Sequence, residues 1–395
     1  MILETKRRKI TFNRLHVVDA LRGFAIVSIM FLHNIEHFDF YYFPSGLPDW
    51  MIALDKGIWK SLFFLFSGKS YAIFAMLFGL TFFIQSNNQK MKGNDFRGRF
   101  AWRLFLLLLF GMINSAFYEG DILTIYAIIG FGMIPVANLN NKTLFWIALI
   151  LMLQPYEWFS LFKSLQNPGM KISDPLSWTY FGRMGEYITD NSLTRLWAGN
   201  LINGKIAVIS WTWEKGRVFQ TLSLFMFGML AGRKSLFEAT VTSKQFWLKT
   251  LMIASVLSVP LYLMRIGPGR WIGSEAVRRP VSVMIESWSN MAFMMVLVSG
   301  FVLLYQNRSF HKILNVFSPM GRMSLSNYIM QSIMGSLIYY GIGLGMYKYT
   351  GATFSFLIAI LLALIQGFFS SWWLKHHTRG PLETIWHKAT WIGSK

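Results

Sequence analysis

Long apolar runs separated by short polar segments dominate the chain. A transmembrane helix needs roughly 20 largely apolar residues, because lipid offers the backbone no hydrogen-bond partner. The runs are continuous and do not alternate between apolar and polar residues, which argues against a membrane β-barrel. The pattern predicts an all-α, polytopic transmembrane bundle of about ten spans. The expected spans are residues 17–36, 61–85, 102–118, 122–138, 143–161, 218–232, 246–264, 284–305, 322–345 and 354–374.

The basic residues predict how this bundle is oriented. Lysine and arginine concentrate in short segments after alternate runs, and such segments generally face the cytoplasm. With the basic N-terminal residues 1–14 inside, an even number of spans also places the C-terminus in the cytoplasm. No small-residue cleavage site follows the first run, so we interpret it as a retained span. The loop 265–283 carries four arginines on the expected outer side, so it is either a functional basic surface or a sign of a miscounted span.

Residues 162–217 are the only long stretch that the pattern leaves outside the spans. At this length the stretch could barely bury a core of its own. We expect surface helices packed on the outer side of the bundle. The chain contains no repeat or flexible linker, so residues 1–395 are expected to form one domain with this outer module.

Composition excludes several classes of protein. The chain is 54% hydrophobic and 14% charged, whereas soluble domains have roughly 45–50% apolar and about 25% charged residues. The net charge is +20, but the basic residues form no stripe with interleaved aromatics, so we expect no nucleic-acid partner. The absence of cysteine excludes disulfides, thiolate metal sites and cysteine catalysis.

The first span holds the most informative polar residues. Ionisable groups within a span cost about 2.5–3.5 kcal/mol each on insertion scales, so they usually face the bundle interior and mark function. Arg22 and His33 are eleven residues apart, which is about three helical turns on one face. Asp19 lies one turn before Arg22 and can pair with it. The alternative is an interfacial Asp19–Arg22 ion pair and a histidine with a purely structural role.

Two further patterns concern the outer end of this span. His33, Glu36 and His37 spell H-x-x-E-H, an inverted zinc-protease pattern. The sequence offers no obvious third ligand, so we predict no metal site. The turn between the third and fourth spans brings Glu119 and Asp121 to the same side, where a carboxylate could orient His33 as a general base. The alternative for both carboxylates is a solvated turn.

The inner side and the ninth span supply the other candidates. Arginine forks match phosphate geometry, so Arg22, Arg103 and Arg322 could hold a phosphorylated ligand. We interpret Arg99, Lys375 and Arg379 mainly as charges that orient the bundle. The ninth span carries a polar stripe that either joins helices or lines a cavity. Its members are Ser324, Asn327, Tyr328 and Gln331.

These residues lie in segments that resemble a known family. The segments are DALRGFAIVSIMFLHN (19–34), LFG (77–79), EGDILTIYAIIG (119–130), GRMSLSNYIMQS (321–332) and GPLETIWHK (380–388). They resemble the YeiB-like bacterial membrane family, which carries domain of unknown function 418. That family is grouped with the acyltransferase type 3 proteins and the heparan glucosaminide acetyltransferases. Arg22 and His33 match an Arg-x10-His motif of those enzymes, although many YeiB-like sequences have asparagine at the second position.

The resemblance implies a membrane-bound acyltransferase in the bacterial cytoplasmic membrane. Such an enzyme would take an acyl group from cytoplasmic acyl-CoA, with acetyl-CoA as the expected form, and pass it to an envelope glycan, lipid or metabolite. In this scheme His33 deprotonates the acceptor or relays the acyl group, and Asp121 or Glu119 orients His33. Membrane lipids are the other expected partners, and a homodimer is one option for the oligomeric state.

The same comparison assigns roles to the remaining candidates. Arg22, Arg103 and Arg322 would hold the phosphates of CoA, and Asp19 would hold Arg22. The substrate cavity would be lined by Asn34, Asn327, Tyr328 and Gln331. The rival hypothesis is a transporter or flippase for an anionic lipid or metabolite, which would use the same polar cavity without acyl chemistry.

Overall fold

The computed structural model describes residues 15–39 and 44–393, without the side chains of residues 37–39. These described residues form helices and no β-strand. The α-helices are α1 His16–Asp39, α2 Asp49–Phe66, α3 Ser70–Lys90, α4 Arg97–Phe117, α5 Ile122–Gly130, α6 Met133–Val136, α7 Asn141–Met152, α8 Pro155–Gln166, α9 Leu176–Gly182, α10 Gly185–Ile188, α11 Leu193–Gly199, α12 Lys205–Glu214, α13 Arg217–Arg233, α14 Val241–Ile266, α15 Pro268–Trp271, α16 Glu275–Gln306, α17 Arg308–Asn315, α18 Ser318–Arg322, α19 Ser324–Tyr339, α20 Ala352–His376 and α21 Pro381–Thr390. A π-helical turn spans Asn200–Gly204, and a 3-10 turn spans Met346–Lys348.

Several of these helices are long and apolar enough to cross a bilayer, which confirms the predicted all-α membrane architecture. By length and composition there are six such segments in the described chain, or seven if the bent pair α7 and α8 forms one span. The six are His16–Glu36, Asp49–Lys90, Arg97–Phe117, Val241–Ile266, Glu275–Gln306 and Ala352–His376.

Three of the predicted spans correspond to shorter helices. Residues 122–138 form α5 and α6, residues 218–232 lie in α13, and residues 322–345 contain α19. Each of these helices is shorter than the roughly 20 residues that a crossing needs. They are largely buried among the longer helices, which explains their apolar composition. The ten-span count and the cytoplasmic position of both termini stay predictions.

The bend between α7 and α8 has a local cause. Gln154 has a positive φ of 62°, and Pro155 starts α8 without a backbone N–H to continue the previous helix. The buried side chain of Gln154 holds the bend in place, because its Nε2 donates to the Gly216 carbonyl at 3.0 Å and to Ser287 Oγ at 2.9 Å. The two helices meet at 42°.

The predicted boundaries of the basic loop 265–283 are wrong. Helix α14 extends into this stretch and α16 begins at Glu275, so most of the stretch is helical. Arg265 Nη2 lies 3.3 Å from Glu286 Oε1, and Arg279 Nη2 lies 2.9 Å from Glu275 Oε1. These ion pairs give two of the four arginines carboxylate partners from α16.

A close approach of α1 to α18 sets the geometry of the bundle centre. A Cβ on Gly321 would lie 1.8 Å from the Asp19 carbonyl oxygen, and one on Gly23 would lie 1.9 Å from the carbonyl oxygen just before α18. Only glycine allows the two backbones to touch in this way. Because Arg22 and Arg322 adjoin these glycines, the contact brings the two arginines together.

The stretch 162–217 forms the end of α8, helices α9 to α12 and the π-helical turn. Its buried residues Met184, Ile188 and Leu196 form an apolar cluster with Tyr339 and Tyr340 at the end of α19. The stretch is therefore packed on the bundle. Its place on the outer side of the membrane stays a prediction.

Candidate functional site

A cavity of about 1110 Å³ lies between α1, α3, α4, α5, α19 and α21. One end is cationic, and we call it the basic mouth. It is lined by Arg22, Lys92, Arg103, Arg322, Arg379 and His387. The other end reaches α5 and the rings of Tyr126 and Tyr328. The cavity thus joins a cationic surface to an aromatic interior.

Helix α1 forms one wall along most of this length. Val18, Arg22 and Ile29 line the cavity at helical spacing. His33 follows Ile29 by one turn on the same face. The shared face expected for Arg22 and His33 therefore coincides with the cavity wall, with Arg22 at the basic mouth and His33 beyond the deep end.

Contacts with two side chains help to position Arg22 within the mouth. Its Nη1 lies 3.3 Å from Asp19 Oδ1, in the pairing expected from their spacing. Its Nη2 donates to Thr81 Oγ1 of α3 at 3.2 Å. Fixing a guanidinium in this way lowers the entropy lost when it binds an anion.

Arg103 and Arg322 are held by the C-terminal segment. The Arg103 guanidinium lies 4.1 Å from the centroid of the Trp386 ring, and its Nη1 donates to Thr390 Oγ1 at 3.1 Å. Arg322 Nη2 donates to the Thr378 carbonyl at 3.3 Å. The structure thus brings together the three arginines that the sequence selected, from α1, α4 and α18.

The other inner-side cations separate into two groups. Arg379 lines the basic mouth, although we interpreted it from sequence as an orienting charge. Arg99 lies outside the lining and donates to the carbonyls of Thr390 and Ile392 at 2.9 and 3.2 Å, where it caps the end of α21. Lys375 also lies outside the lining, on the last turn of α20.

Glu383 joins the segments 321–332 and 380–388 through hydrogen bonds. Its carboxylate accepts from the backbone N–H groups of Leu325 and Ser326 at 2.7 and 3.0 Å, and from Ser326 Oγ at 2.6 Å. A carboxylate at a helix N-terminus also interacts favourably with the helix dipole. Glu383 therefore fixes α21 on α19 and, with it, one wall of the mouth.

Beyond the deep end lies what we call the His33 cluster, comprising His33, Glu36, Tyr118 and Tyr328. The His33 ring centroid lies 4.5 Å from that of Tyr118 and 5.8 Å from that of Tyr328. The Tyr118 hydroxyl donates to Glu36 Oε2 at 3.3 Å. Tyr328 also lines the cavity. One aromatic ring therefore contacts both the cavity and the candidate histidine.

Asp121 has a different set of partners from the one expected. It is fully buried at the N-cap of α5 and accepts from the N–H groups of Leu123 and Thr124 at 3.1 and 2.9 Å. Asn114 Nδ2 and Lys205 Nζ donate to the same carboxylate at 3.0 and 3.1 Å. These contacts assign Asp121 to holding α5 and Lys205 in place, and they correct its expected role in orienting His33.

Lys205 is a functional candidate that the sequence reasoning missed. It lies on α12 with 8% of its surface exposed, and its Nζ donates to Thr124 Oγ1 at 2.6 Å as well as to Asp121. The sequence pattern predicts that its segment lies on the outer surface. The available signal was a lone lysine followed by the apolar residues Ile206, Ala207 and Val208.

Glu119 lies in the turn between α4 and α5, and it is buried rather than solvated. The Tyr340 hydroxyl donates to its Oε2 at 2.9 Å. Burial raises the pKa of Glu119 to about 7. A carboxyl group that titrates near neutral pH is suited to proton transfer.

Three of the four predicted cavity residues join helices instead. Asn34 Oδ1 accepts from the Tyr339 hydroxyl at 2.9 Å. Asn327 Nδ2 donates to a serine of α20 at 3.0 Å, and Gln331 Nε2 donates to a carbonyl oxygen of α1 at 3.3 Å. Of the predicted set, Tyr328 lines the cavity. The other three are corrected to packing roles, because buried amides are stabilised by partners on neighbouring helices.

The H-x-x-E-H pattern includes His37, whose side chain lies outside the described part of the structure. Within the described residues no group of three or more His, Cys, Asp or Glu side chains is arranged to hold a metal ion. The basic N-terminal residues 1–14 also lie outside the described chain.

The long apolar helices define a polytopic helical membrane protein. Residues 231–393 match the family described as "Protein of unknown function (DUF418)". The chain is 29% identical to the "Uncharacterized protein YxaH" of Bacillus subtilis over 97% of its own length and 96% of that protein. It is 24% identical to the "Uncharacterized protein YeiB" of Escherichia coli over 94% and 95% of the two chains. These matches support a YeiB-like DUF418 family for this chain, and no solved structure matches it.

Proposed function

We propose that this protein is an acyltransferase of the bacterial cytoplasmic membrane. It takes an acyl group from acyl-CoA, with acetyl-CoA as the expected donor, and passes it to a hydroxyl or amine of an envelope glycan, lipid or metabolite. The observation that carries the proposal is the cavity between the basic mouth and Tyr328, whose ring contacts that of His33. The resemblance of the first span to the transmembrane acyltransferases supports the same assignment.

The basic mouth fits the phosphates of the donor. Arg22, Arg103 and Arg322 lie along one rim and come from separate helices. Guanidinium groups bind phosphate through charge-assisted, bidentate hydrogen bonds, which are about twice as strong as neutral ones. With Asp19 holding Arg22, the donor would meet a partly ordered set of cations.

The shape of the cavity fits a long donor. Its volume of about 1110 Å³ exceeds the roughly 300–1,000 Å³ that is usual for small-molecule sites. Below the mouth the walls are largely apolar, with Phe78, Phe100 and Leu107 among them. These walls suit the uncharged arm and acyl group of the donor, which would point towards His33.

The proposed reaction takes place at the His33 cluster. His33 accepts the proton of the acceptor hydroxyl or amine while the acceptor oxygen or nitrogen attacks the thioester carbonyl carbon. The C–S bond then breaks, and the departing thiolate takes the proton from His33. Glu119 provides a second candidate base, because its pKa of about 7 suits proton transfer at neutral pH.

Comparative mass spectrometry of envelope glycans and lipids tests this proposal. Cells that express the wild-type protein should contain an envelope component heavier by one acyl group than cells without the protein. The His33→Ala variant should lose this species. The matched His376→Ala variant, which removes an exposed histidine at the end of α20, should retain it.

Two results would contradict the proposal. One is the absence of any acylated species in cells with verified amounts of the protein in the membrane. The other is movement of an anionic lipid or metabolite across proteoliposomes without consumption of acyl-CoA, which would establish the transporter hypothesis in its place.

A further inference from the structure

A second cavity of about 600 Å³ lies between α7, α13, α14 and α16. It shares no lining residue with the larger cavity. Most of its wall is apolar, and the side chains include Phe227, Phe246 and Trp247. Methionines Met294 and Met295 of α16 complete this wall. Methionine side chains adapt to irregular apolar ligands, because they are unbranched and flexible.

The polar end of this second cavity is cationic. Lys142 lies in the first turn of α7, and Lys234 follows the last residue of α13. Both side chains are exposed. Neither Asp nor Glu is among the described residues that line the cavity. The cavity therefore combines an apolar interior with two lysines at its edge, which is the complement of an anionic amphiphile.

The lysine end lies at the same end of the bundle as the basic mouth. Helices α3 and α13 run parallel, because Tyr71 near the start of α3 contacts Gln220, whereas Phe83 further along contacts Gly232. Lys234 therefore lies at the end where α3 leads to the mouth. A cluster of lysines at the cytoplasmic membrane surface attracts anionic lipid headgroups.

The helix that forms one wall is itself exposed to lipid. Along α14 the side chains of Met252, Ile253 and Val256 are 61%, 61% and 71% exposed. Helix α14 is one of the six apolar segments long enough to span the bilayer. An apolar surface of this kind on a membrane helix contacts hydrocarbon chains. A lipid molecule is thus the amphiphile present at this position in the membrane.

We propose that the second cavity binds one anionic phospholipid. Its phosphate lies between Lys142 and Lys234, and an acyl chain enters the apolar interior beside Trp247. Lysine supplies point charges to the phosphate, and the aromatic and methionine side chains surround the chain. This proposal does not depend on the acyltransferase activity, because none of its residues belongs to the larger cavity.

Photo-crosslinking of the full-length protein tests the proposal. The protein is placed in phosphatidylcholine nanodiscs that contain phosphatidylglycerol with a diazirine on its acyl chain. After illumination, peptide mass spectrometry should locate adducts on the lining segments of α13, α14 and α16. Unlabelled phosphatidylglycerol should compete with this labelling, whereas additional phosphatidylcholine should not.

A pair of double variants tests the role of the lysines. Each basic residue near an anionic lipid surface strengthens binding about fivefold, so Lys142→Gln with Lys234→Gln should weaken labelling by about 25-fold. The control, Lys244→Gln with Lys249→Gln, removes two exposed lysines of α14 outside the lining and should label like the wild type.

Three results would overturn the proposal. They are adducts on other segments in place of these, equal competition by phosphatidylcholine, and equal effects of the two double variants. The competition experiment uses the wild-type chain, so it remains decisive even where a variant folds poorly.

Discussion

The two ends of the larger cavity differ in how their polar groups are held. At the basic mouth, Arg103 and Arg322 contact an aromatic ring, a hydroxyl and a carbonyl oxygen, which are neutral groups. Near the His33 cluster, Asp121 is fully buried and bound by Lys205. Arg22 pairs with Asp19, but the cations that line the mouth still outnumber its carboxylates Asp19 and Glu383. Next to the deep end, Lys205 and Asp121 neutralise each other.

Because of this difference, removing a charge should affect anion binding at the mouth and folding stability near the deep end. Removing a charge at the partly exposed mouth should chiefly change affinity for an anion, because water can solvate the groups left behind. Removing one member of the buried Lys205–Asp121 pair leaves a charge without solvent and should chiefly change stability. Chemistry is expected at the deep end, where water is excluded and fixed polar groups act most strongly.

The largest expected effect is an all-or-none topology signal. Reporter proteins fused after residues 95 and 390, near the basic mouth, should show a cytoplasmic location. A fusion after residue 190 should be external. The Ile188 carbonyl accepts from the Gly341 N–H, and the adjacent Tyr340 donates to Glu119, so residue 190 lies near the end of the cavity opposite the mouth. The physical reason is the positive-inside effect at the mouth. A cytoplasmic signal at 190 would place both ends of the cavity on one side.

Replacement of His33 should have the largest effect on rate. Loss of a general base typically lowers the rate by about 10²–10⁴-fold, so His33→Ala should abolish most acyl transfer in the purified protein. Binding of acyl-CoA, measured by calorimetry, should stay near the wild-type value. The His33→Asn variant is more informative, because an amide keeps hydrogen bonds without titrating. If it retains normal turnover, the base must be sought at Glu119.

Replacement of Lys205 should mainly lower stability. Breaking a buried ion pair typically costs about 3–5 kcal/mol, so Lys205→Met should lower the free energy of unfolding by that amount in thermal or denaturant melts. Combining it with Asp121→Asn should restore much of the loss, because no charge is then left buried. The control Lys215→Met, whose Nζ lies 4.0 Å from the partly exposed Glu286, should cost less than about 1 kcal/mol. Equal losses in the two single variants would contradict the contrast between buried and exposed charges.

Exchange of arginine for lysine should have a moderate effect at the basic mouth. Lysine keeps the charge but cannot reproduce the bidentate fork, so Arg22→Lys should weaken acyl-CoA binding by about tenfold. Arg99→Lys is the matched control, because Arg99 caps α21 outside the cavity lining. Calorimetric titration of the two purified variants measures the difference. Equal affinities would return Arg22 to a role in orienting the bundle.

The smallest expected effect concerns the pH dependence of binding at the mouth. Burial and the neighbouring Arg379 and Arg103 lower the pKa of His387 below its usual range, which favours its neutral form. As the pH falls through this lowered pKa, the added proton makes the mouth more positive and should tighten anion binding by less than about fivefold. Measuring the anion affinity of the wild type and of His387→Gln at each pH separates protonation of His387 from protonation of the ligand. Parallel affinity curves for the two proteins would exclude a contribution from His387.

The local pattern was sufficient for the all-α membrane architecture, the Asp19–Arg22 pair and the shared helical face of Arg22 and His33. All of these depend on residues within a few helical turns, where hydropathy and a period of 3.6 residues decide the outcome. Shorter buried helices such as α5 and α13 were harder to interpret, because an apolar run looks the same whether lipid or protein surrounds it. The bend at Gln154 arises from the positive φ of this residue, which a hydropathy pattern does not reveal.

The sequence by itself determined that the chain is a helical membrane protein and which arginines and histidine were candidates for its site. Only the tertiary structure decided that Arg22, Arg103 and Arg322 share one cavity, and that Asp121 binds Lys205 instead of serving His33. The reason is the range of the interactions involved. Helix formation follows from neighbouring residues, whereas a buried charge takes its partner from whichever distant helix the packing of faces and glycines brings beside it.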